Sequence, residues 1–227
     1  LANTFRAYSR REAIQPLRTM MKVPDSGGIL APMPGYDGAS KALAVKLITI
    51  FHNKDESKFD SHQGLVVLFS AKYGNPLAIM DAIEITAIRT AAASGVATEA
   101  LARKEAAILA ILGAGVQARS HFTAMMEARP IQSVRIWSRT KKHAEKLAEE
   151  LSDQPSVKVT VSENAQTAVT GAHIVCTVTS ATEPILEGAW LSPGIHINAV
   201  GSSMAKKREL DSEAVINSKL YVDSRES

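Results

Sequence analysis

The stretch "ILAILGAGVQARSHF", residues 108–122, decides the fold of the second half of the chain. An apolar run ends at two glycines, and a helical pattern begins directly after them. Gly113, Gly115 and Ala118 stand at G-x-G-x-x-A spacing. Gly113 permits a tight turn, Gly115 lets backbone amides approach a pyrophosphate, and Ala118 lets the helix pack near the sheet. The alternative is a plain strand-to-helix turn. On the dinucleotide-binding interpretation, the predicted cofactor contacts here are Gly113, Gly115, Val116 and Gln117.

The region after residue 105 alternates between strand and helix patterns. Strand patterns occur in "AAILAILG", "SVRIWS", "VKVTV", "AHIVCTVT", "GIHINAVG" and "KLYVDS". Helix patterns occur in "VQARSHFTAMMEA", "KKHAEKLAEEL" and "ENAQTAV". Strands that alternate with helices form βαβ units, so the predicted fold class is α/β, with a Rossmann-type doubly wound parallel sheet.

The first hundred residues have a different rhythm. Apolar or alternating runs predict successive strands of a meander in "QPLRTMMKV", "GGILAPMPGY", "ALAVKLITIFH", "GLVVLFSA" and "PLAIMD". A helix pattern follows, at whose start Asp81 and Glu84 can form a capping box. We therefore predict two domains, a mainly β N-terminal domain over residues 1–100 and a Rossmann domain over residues 101–227.

Composition limits the classes of protein to which the chain can belong. A net charge of +3 and 5% aromatic residues, without a sustained basic stripe, argue against a nucleic-acid surface. No apolar run approaches the ~18 residues that span a membrane, and the start lacks the order of a signal peptide. The single cysteine, Cys176, fits a cytoplasmic protein and is expected in the core. No spacing of His, Cys and carboxylate residues predicts a metal site.

The end of the second strand of this α/β region indicates which dinucleotide binds. A free ribose 2′-hydroxyl calls for Asp or Glu about 20 residues past the glycines. Here "RIWSRT" ends in Ser138, Arg139 and Thr140, without a carboxylate. A guanidinium with two hydroxyls suits a 2′-phosphate, so NADPH is favoured over NADH. The alternative is a surface arginine, followed by a threonine that only caps the next helix.

The motifs together resemble those of a known family. The matching stretches are "QPLRT", "KLIT", "MDAIEITAIRTAAASG", "ILGAGVQA", "VRIWSRT", "TVTSATEPIL", "GIHINAVGSS", "RELD" and "LYVDS". Over nearly the whole chain they resemble the ornithine cyclodeaminase and mu-crystallin family, most of all its ketimine-reductase branch, which uses NADPH and also binds thyroid hormone. The resemblance implies that the N-terminal domain binds substrate and forms a homodimer in the full-length protein. It also implies a returning C-terminal segment, which is expected to be absent because the sequence stops at "DSRES".

The resemblance also places substrate-binding residues. Arg18, Lys46 and Arg89 match family positions that gather the substrate carboxylate and the reacting nitrogen. Arginine binds a carboxylate through two parallel hydrogen bonds, whereas a lysine buried near other cations has a lowered pKa and can give up a proton. Lys46 is therefore the expected catalytic residue. His62, Arg89 and Thr90 are expected beside the cofactor, with a structural role as the alternative for His62.

The ends of the later strands are expected beside the reacting half of the cofactor, because ligands of doubly wound sheets lie over the carboxyl ends of the strands. The predicted contacts there are Thr177, Val178, Thr179 and Val200. Cyclodeaminases of the family place an aspartate where Ser203 stands. A serine cannot act as a general base near neutral pH without a partner, so Ser203 is predicted to contact the cofactor and to disfavour ornithine deamination. A shift of the match by one residue would point to Ser202 instead, with the same chemical conclusion.

Residues and resemblance together predict an oxidoreductase that passes hydride from NADPH to the C=N carbon of an imino acid, a cyclic ketimine. Three alternatives stay open. One is a cyclodeaminase with tightly held NAD, and another is an amino-acid dehydrogenase of the same fold. The third is a hormone-binding crystallin without enzymatic activity.

Overall fold

A computed structural model describes residues 1–51, 61–152, 157–202 and 207–223. The chain divides into two compact units, unit 1 (Leu1–Arg89) and unit 2 (Thr90–Ser227). The division falls within one long helix, Ala82–Leu101. The domain boundary predicted from the sequence stands near residue 100, at the end of the same helix.

Unit 1 is built on an antiparallel sheet. Its elements are helix α1 (Ala2–Ser9), strands β1 (Ala13–Ile14), β2 (Met21–Lys22), β3 (Ile29–Asp37), β4 (Ala42–Ile50), β5 (His62–Ser70) and β6 (Pro76–Asp81), and the first part of helix α2 (Ala82–Leu101). The strands lie in the order β1-β3-β4-β5-β6, and β2 pairs with the start of β3. Strand β4 is central and carries Lys46, opposite Met33 of β3 and Val66 of β5. The mainly β character of this region is confirmed.

The strand predicted over "QPLRTMMKV" is wrong for most of its length. Only Met21 and Lys22 pair, opposite Leu30 and Ile29. Residues 15–20, which include Arg18, belong to no helix or strand. Strand β3 continues alongside this segment, since it pairs with β2 at one end and with β1 at the other. Pro32 and Pro34 of β3 and Pro16 of the segment have no N–H to donate, so the ladder is interrupted between the two pairings. Arg18 therefore stands on an irregular segment.

Asp81 begins helix α2 as the sequence predicts. Its Oδ1 atom accepts hydrogen bonds from the backbone N–H groups of Ile83 (2.8 Å) and Glu84 (2.9 Å). Such a cap satisfies donors that no helical carbonyl can reach. Ala82 and Ala87 are buried, which lets the start of the helix pack closely in unit 1. The cap therefore fixes where the helix starts.

Unit 2 is an α/β domain with a parallel sheet. After the rest of α2 come β7 (Ile108–Leu112), α3 (Val116–Ala128), β8 (Ser133–Trp137), α4 (Lys141–Leu151), β9 (Lys158–Val161), α5 (Ala165–Val169), β10 (Ile174–Thr177), a 3-10 turn (Gly188–Trp190), β11 (His196–Ala199) and α6 (Ser212–Ile216). The strand order is β11-β10-β7-β8-β9, with every pair parallel. Chain order reverses between β7 and β10, at the point where doubly wound sheets bind their ligands. The predicted Rossmann-type sheet is confirmed.

The core of unit 2 lies on both faces of this sheet. Leu109 and Ile111 of β7 pack into one apolar cluster, whereas Ala110 and Leu112 pack into another. All four side chains are fully buried. A central parallel strand is covered on both faces, which is why β7 reads as a continuous apolar run in the sequence. The strand that leads into the glycine turn is therefore held firmly from both sides.

The strand predicted over "KLYVDS" is wrong. The described part of this stretch, residues 219–223, belongs to no helix or strand. Leu220, Tyr221 and Val222 are exposed, whereas a strand of a doubly wound sheet would bury its apolar side chains. In the part of the chain that the structure describes, the sheet ends at β11. The alternating pattern of this stretch therefore forms no strand, because no neighbouring strand of the described sheet pairs with it.

Candidate active site

The turn between β7 and α3 has the geometry that a dinucleotide needs. Gly113 has φ +126°, and a Cβ atom there would lie 2.8 Å from the carbonyl oxygen of Val178, so the turn requires glycine. A Cβ atom at Gly115 would meet nothing within 4 Å. Gly115 also caps α3 without a side-chain hydrogen bond, which leaves N–H groups of the first helical turn for an anion. The turn therefore presents an open backbone surface with positive polarity.

Arg119 restrains this turn, and sequence-based prediction misses it. Its guanidinium donates to the carbonyl oxygens of Ala114 (3.3 Å) and Gly115 (3.1 Å). It also pairs with Glu150 of α4 through two bonds of 2.7 and 2.9 Å, which hold the pKa of Glu150 below its usual value. Arg119 thus ties the backbone of the turn to α4. Its only sequence signal is a position four residues after Gly115.

Helices α2 and α3 are in contact through buried polar side chains, and two other buried polar atoms on these helices have no hydrogen-bond partner in the described part of the chain. Ser94 Oγ lies 2.9 Å from His121 Nε2. One helical turn earlier on the same faces stand Thr90 and Gln117. Their Oγ1 and Oε1 atoms are buried and have no hydrogen-bond partner within the described ranges. Orphaned buried polar atoms are rare, so this pair fits a ligand that supplies the missing partners. Both residues are among the predicted cofactor contacts.

Three polar residues follow the end of β8. Ser138 is half-buried, and Arg139 and Thr140 are exposed. Thr140 occupies the N-cap position of α4 but makes no side-chain cap hydrogen bond. The exposure of Arg139 and the N-cap position of Thr140 also agree with the alternative of a surface arginine beside a helix cap, so a cofactor contact here stays a prediction. A guanidinium and two hydroxyls stand together at the edge of the sheet where a ribose is expected.

Glu209 joins the ends of β10 and β11, and sequence-based prediction misses its role. Its side chain is 0% exposed. Its Oε2 atom accepts from the Thr177 hydroxyl (2.7 Å) and the Gly201 N–H (2.7 Å). Its Oε1 atom accepts from both the N–H and the hydroxyl of Thr179, each at 2.6 Å. In the sequence, "RELD" offers nothing that separates this residue from a surface carboxylate. The predicted contacts Thr177 and Thr179 are therefore held in place by a buried carboxylate.

The remaining predicted residues at these strand ends lie beside it. Val178 is buried, and its N–H donates to the carbonyl of Leu112 (2.9 Å), at the start of the glycine turn. Val200 is half-buried, and its N–H donates to the carbonyl of Thr177 (3.0 Å). Cys176 is a fully buried core residue, as predicted. Burial raises the pKa of its thiol to about 12. It is therefore not a reactive thiolate.

Three cationic side chains converge in unit 1. Lys46 of β4 is half-buried, and its Nζ donates to the hydroxyl of Thr86 on α2 (3.3 Å). Burial lowers the pKa of Lys46 to about 8, helped by the positive charges of Arg89 and Arg18. Both guanidinium groups are exposed, one on α2 and one on the irregular segment before β2. The fold thus brings together the three residues expected to handle a carboxylate and a basic nitrogen.

Two other predicted contacts are less informative. His62 begins β5, is exposed, and has its Nδ1 atom 3.0 Å from Ser61 Oγ. A place for His62 beside the cofactor stays a prediction. Ser203 lies outside the described residues. Across those residues there is no group of three potential metal ligands, and none of the helices there is long and apolar enough to cross a membrane.

Comparisons with known proteins match the chain over its whole length. The model of the ornithine cyclodeaminase/mu-crystallin family matches residues 1–227. The ketimine reductase mu-crystallin of Mus musculus is 46% identical over 214 residues, which make up 94% of this chain and 67% of that protein. A Δ1-pyrroline-2-carboxylate reductase of Bacillus cereus is 34% identical over 221 residues, with 97% and 68% coverage. The resemblance inferred from the motifs is confirmed.

A solved structure supports the same assignment. The Δ1-pyrroline-2-carboxylate reductase of Thermococcus litoralis, in complex with NADH and L-proline, matches with a TM-score of 0.92 and 41% sequence identity. The match covers 99% of this chain and 69% of that chain. It therefore extends over the residues of both units.

Proposed function

Since the chain belongs to the ornithine cyclodeaminase/mu-crystallin family, we propose that it is an NADPH-dependent reductase of cyclic ketimines. It is an oxidoreductase that reduces an imine by hydride transfer and uses a pyridine nucleotide. The choice of NADPH and of a cyclic imino acid is the finer part of the proposal. One observation carries the reduction of an imino acid: Lys46 stands near two guanidinium groups, and burial together with their charges lowers its pKa to about 8.

The three cations of unit 1 suit an imino acid. Arg18 and Arg89 supply charge and paired donors for the carboxylate that such a substrate carries. Lys46 supplies a proton at the imine nitrogen, because an ammonium with a pKa of about 8 is charged at neutral pH yet gives up its proton easily. Protonation at nitrogen makes the neighbouring carbon electrophilic and prepares it to accept hydride. The lowered pKa is therefore the property that the reaction needs.

Unit 2 suits the cofactor. A pyridine nucleotide supplies hydride when bound, and the residues of this unit hold it in place. The turn of Gly113 and Gly115 would bind the pyrophosphate, and the orphaned atoms of Thr90 and Gln117 would gain partners. Arg139 favours NADPH over NADH, because a guanidinium pairs with a 2′-phosphate. NADH stays the alternative, since the Thermococcus litoralis reductase was solved with it.

The substrate is proposed to be a ring with a C=N bond next to a carboxylate. The reductases of Thermococcus litoralis and Bacillus cereus are named for a cyclic imino acid of this kind. Ornithine is not expected as a substrate, because the family resemblance implies that Ser203 takes the place of an aspartate of the cyclodeaminases. A hydroxyl cannot replace that carboxylate as a base near neutral pH.

Unit 1 also has a surface that fits self-association. Leu77 and Ile79 of β6 are 58% and 72% exposed, and Ile88 of α2 is 66% exposed. Leu77 and Ile79 lie on the same face of β6, and a contiguous exposed apolar face is typical of protein contacts. We include a homodimer of the full-length protein in the proposal on this ground. Thyroid-hormone binding rests on the family resemblance alone, and a cytoplasmic location rests on the single cysteine.

The test is a spectrophotometric screen of the full-length protein with NADPH. The panel contains cyclic imino acids with five- and six-membered rings, the same rings without the carboxylate, and ornithine. Carboxylated rings should oxidise NADPH, whereas rings without the carboxylate should react poorly because the guanidinium groups lose their partner. Lys46→Met is the matched negative control. Ammonia and proline formed from ornithine at a comparable rate would move the protein to the cyclodeaminase branch.

A further inference from the structure

The most unusual group outside the proposed catalytic residues is the carboxylate of Glu209. It is 0% exposed, and each of its oxygens accepts two hydrogen bonds, all shorter than 2.8 Å. The donors are two hydroxyls and two backbone N–H groups, all of them neutral. A buried carboxylate is costly unless its acceptor sites are filled. Here all of them are filled, which indicates that the surrounding backbone is built to hold this charge.

The main chain of Glu209 is equally well anchored. Its N–H donates to Ser202 Oγ (3.1 Å), and its carbonyl accepts from the N–H groups of Ile185 (2.8 Å) and Leu186 (3.0 Å). The residue therefore contacts three separate segments: the end of β10, the segment after β11, and the stretch around residue 185.

Two of the segments held by Glu209 are the carboxyl ends of strands at the proposed cofactor site. Thr177 ends β10, Thr179 follows it, and Gly201 follows β11. A Cβ atom at Gly201 would overlap both the Thr179 carbonyl and Glu209 Oε1, so the backbone approaches the carboxylate as closely as glycine allows. Val178 lies between the two bonded threonines, and its carbonyl oxygen is the atom that a Cβ at Gly113 would approach most closely. The carboxylate therefore sets the position of the loop that borders the glycine turn.

The strand order tells which half of a dinucleotide these loops face. The ribose-binding residues follow β8, on one side of β7, whereas β10 and β11 lie on the other side. In a doubly wound sheet the pyrophosphate crosses at the first strand, so the loops after β10 and β11 border the nicotinamide half. The bonds of Glu209 fall entirely on that side.

We propose that Glu209 is a positioning residue for the nicotinamide half of the cofactor. It acts through Thr177, Thr179 and Gly201, whose backbone it holds in the conformation that receives the nicotinamide ribose and ring. The inference rests on the proposed function, because it needs a dinucleotide in unit 2. It makes no claim on the adenine half, which the residues after β8 are proposed to bind.

The test compares Glu209→Gln with the unmodified full chain in its affinity for two ligands, NADPH and adenosine 2′,5′-bisphosphate, which resembles only the adenine half. Glutamine keeps the size of the side chain but replaces one oxygen by an NH₂ group. That group would face two donors, at Thr179 or at Thr177 and Gly201. We expect the dissociation constant for NADPH to rise about tenfold or more, and that for the bisphosphate to change less than about twofold. Glu149→Gln, at an exposed carboxylate on α4, is the matched control.

A second readout needs no ligand. Amide hydrogen exchange at Thr179 and Gly201 should speed up in Glu209→Gln, whereas exchange at Leu109 and Ile111 of β7 should not change. If Glu209→Gln does not fold, Thr177→Val removes one of the four donors and keeps the charge. It should show the same split between the two ligands, about threefold for NADPH.

The outcomes separate this inference from the proposed function. Unmodified protein that binds neither ligand contradicts the proposed function and, with it, the inference. Normal binding by the unmodified protein, with equal loss of both ligands in the variants, would mean a general structural role and would overturn the inference alone. Unchanged affinity for NADPH in the variants would overturn it as well.

Discussion

Units 1 and 2 build their sites in opposite ways. In unit 1 the proposed chemistry comes from charged side chains in a region with few fully buried residues, and Arg18 and Arg89 are exposed. In unit 2 it comes from backbone shape, because the turn at Gly113 follows a strand whose last four side chains, Leu109 to Leu112, are 0% exposed. A shifted pKa needs only partial burial and nearby charge, whereas a backbone cradle needs rigid packing beneath it. The two kinds of site should therefore fail in different ways when they are mutated.

The largest expected effect is on turnover, through unit 1. Lys46→Met keeps the length of the side chain but removes the proton donor, so kcat should fall about 10²–10⁴-fold. The dissociation constant for NADPH should stay nearly unchanged, because Lys46 is not among the proposed nucleotide contacts. Steady-state kinetics and nucleotide titration measure the two quantities. Lys72→Met, at an exposed turn, is the control, and normal turnover in Lys46→Met would remove this lysine from the mechanism.

The next effect is on cofactor choice, through unit 2. Arg139→Ala should erase most of a preference for NADPH over NADH, because a charge-assisted bond to the 2′-phosphate contributes about 10–150-fold in affinity. Binding constants for both cofactors measure it. Lys158 lies at the start of β9, at the amino ends of the parallel strands, whereas Arg139 follows the carboxyl end of β8. Lys158→Ala also removes one positive charge and should leave the preference unchanged. Equal affinity of the unmodified protein for both cofactors contradicts the assignment to NADPH.

Two glycine variants distinguish a glycine that the folded turn requires from a glycine that only leaves room for the nucleotide. Gly113→Ala should lower the free energy of unfolding by about 1–3 kcal/mol, because its φ of +126° and the Val178 carbonyl leave no place for a methyl group. Gly115→Ala should change that free energy by less than about 1 kcal/mol, because its φ is −88° and its surroundings are open. Both should weaken nucleotide binding.

Denaturant unfolding and nucleotide titration measure this pair. A Gly113→Ala variant as stable as the unmodified protein would show that the turn is less constrained than its geometry indicates. Full nucleotide affinity in Gly115→Ala would remove the pyrophosphate from the open side of the turn.

The smallest expected effect is a shift along the pH axis in unit 1. With a Lys46 pKa of about 8, kcat/KM for reduction should fall as the pH rises through about 8, since the free amine cannot donate the proton. Arg89→Met removes one of the charges that lower this pKa, so the falling limb should move up by about half a pH unit. The pH profile of kcat/KM measures both. If the fall of kcat/KM above a pH of about 8 persists in Lys46→Met, the titrating group is on the substrate and not Lys46.

Local signals predicted much of the fold. The helix predicted over "VQARSHFTAMMEA" is α3 (Val116–Ala128), and that over "KKHAEKLAEEL" is α4 (Lys141–Leu151). Both succeed because periodicity and the glycine turn act within a few residues. The two failed strands, over "QPLRTMMKV" and "KLYVDS", had suitable patterns but no ladder to join: the first runs beside a stretch of β3 that holds two prolines, and the second pairs with no strand of the described chain. A strand depends on a partner that its own residues do not contain.

The sequence by itself determined the dinucleotide turn, the βα alternation and the types of side chain available for chemistry, since each depends on residues close together in the chain. Only the tertiary structure decided which side chains act together. Lys46 meets Thr86 across 40 residues, and Glu209 meets Thr177 across 32. Burial of Glu209 and the lowered pKa of Lys46 follow from those long-range contacts, because solvent exclusion and charge proximity are properties of folded neighbours rather than of sequence spacing.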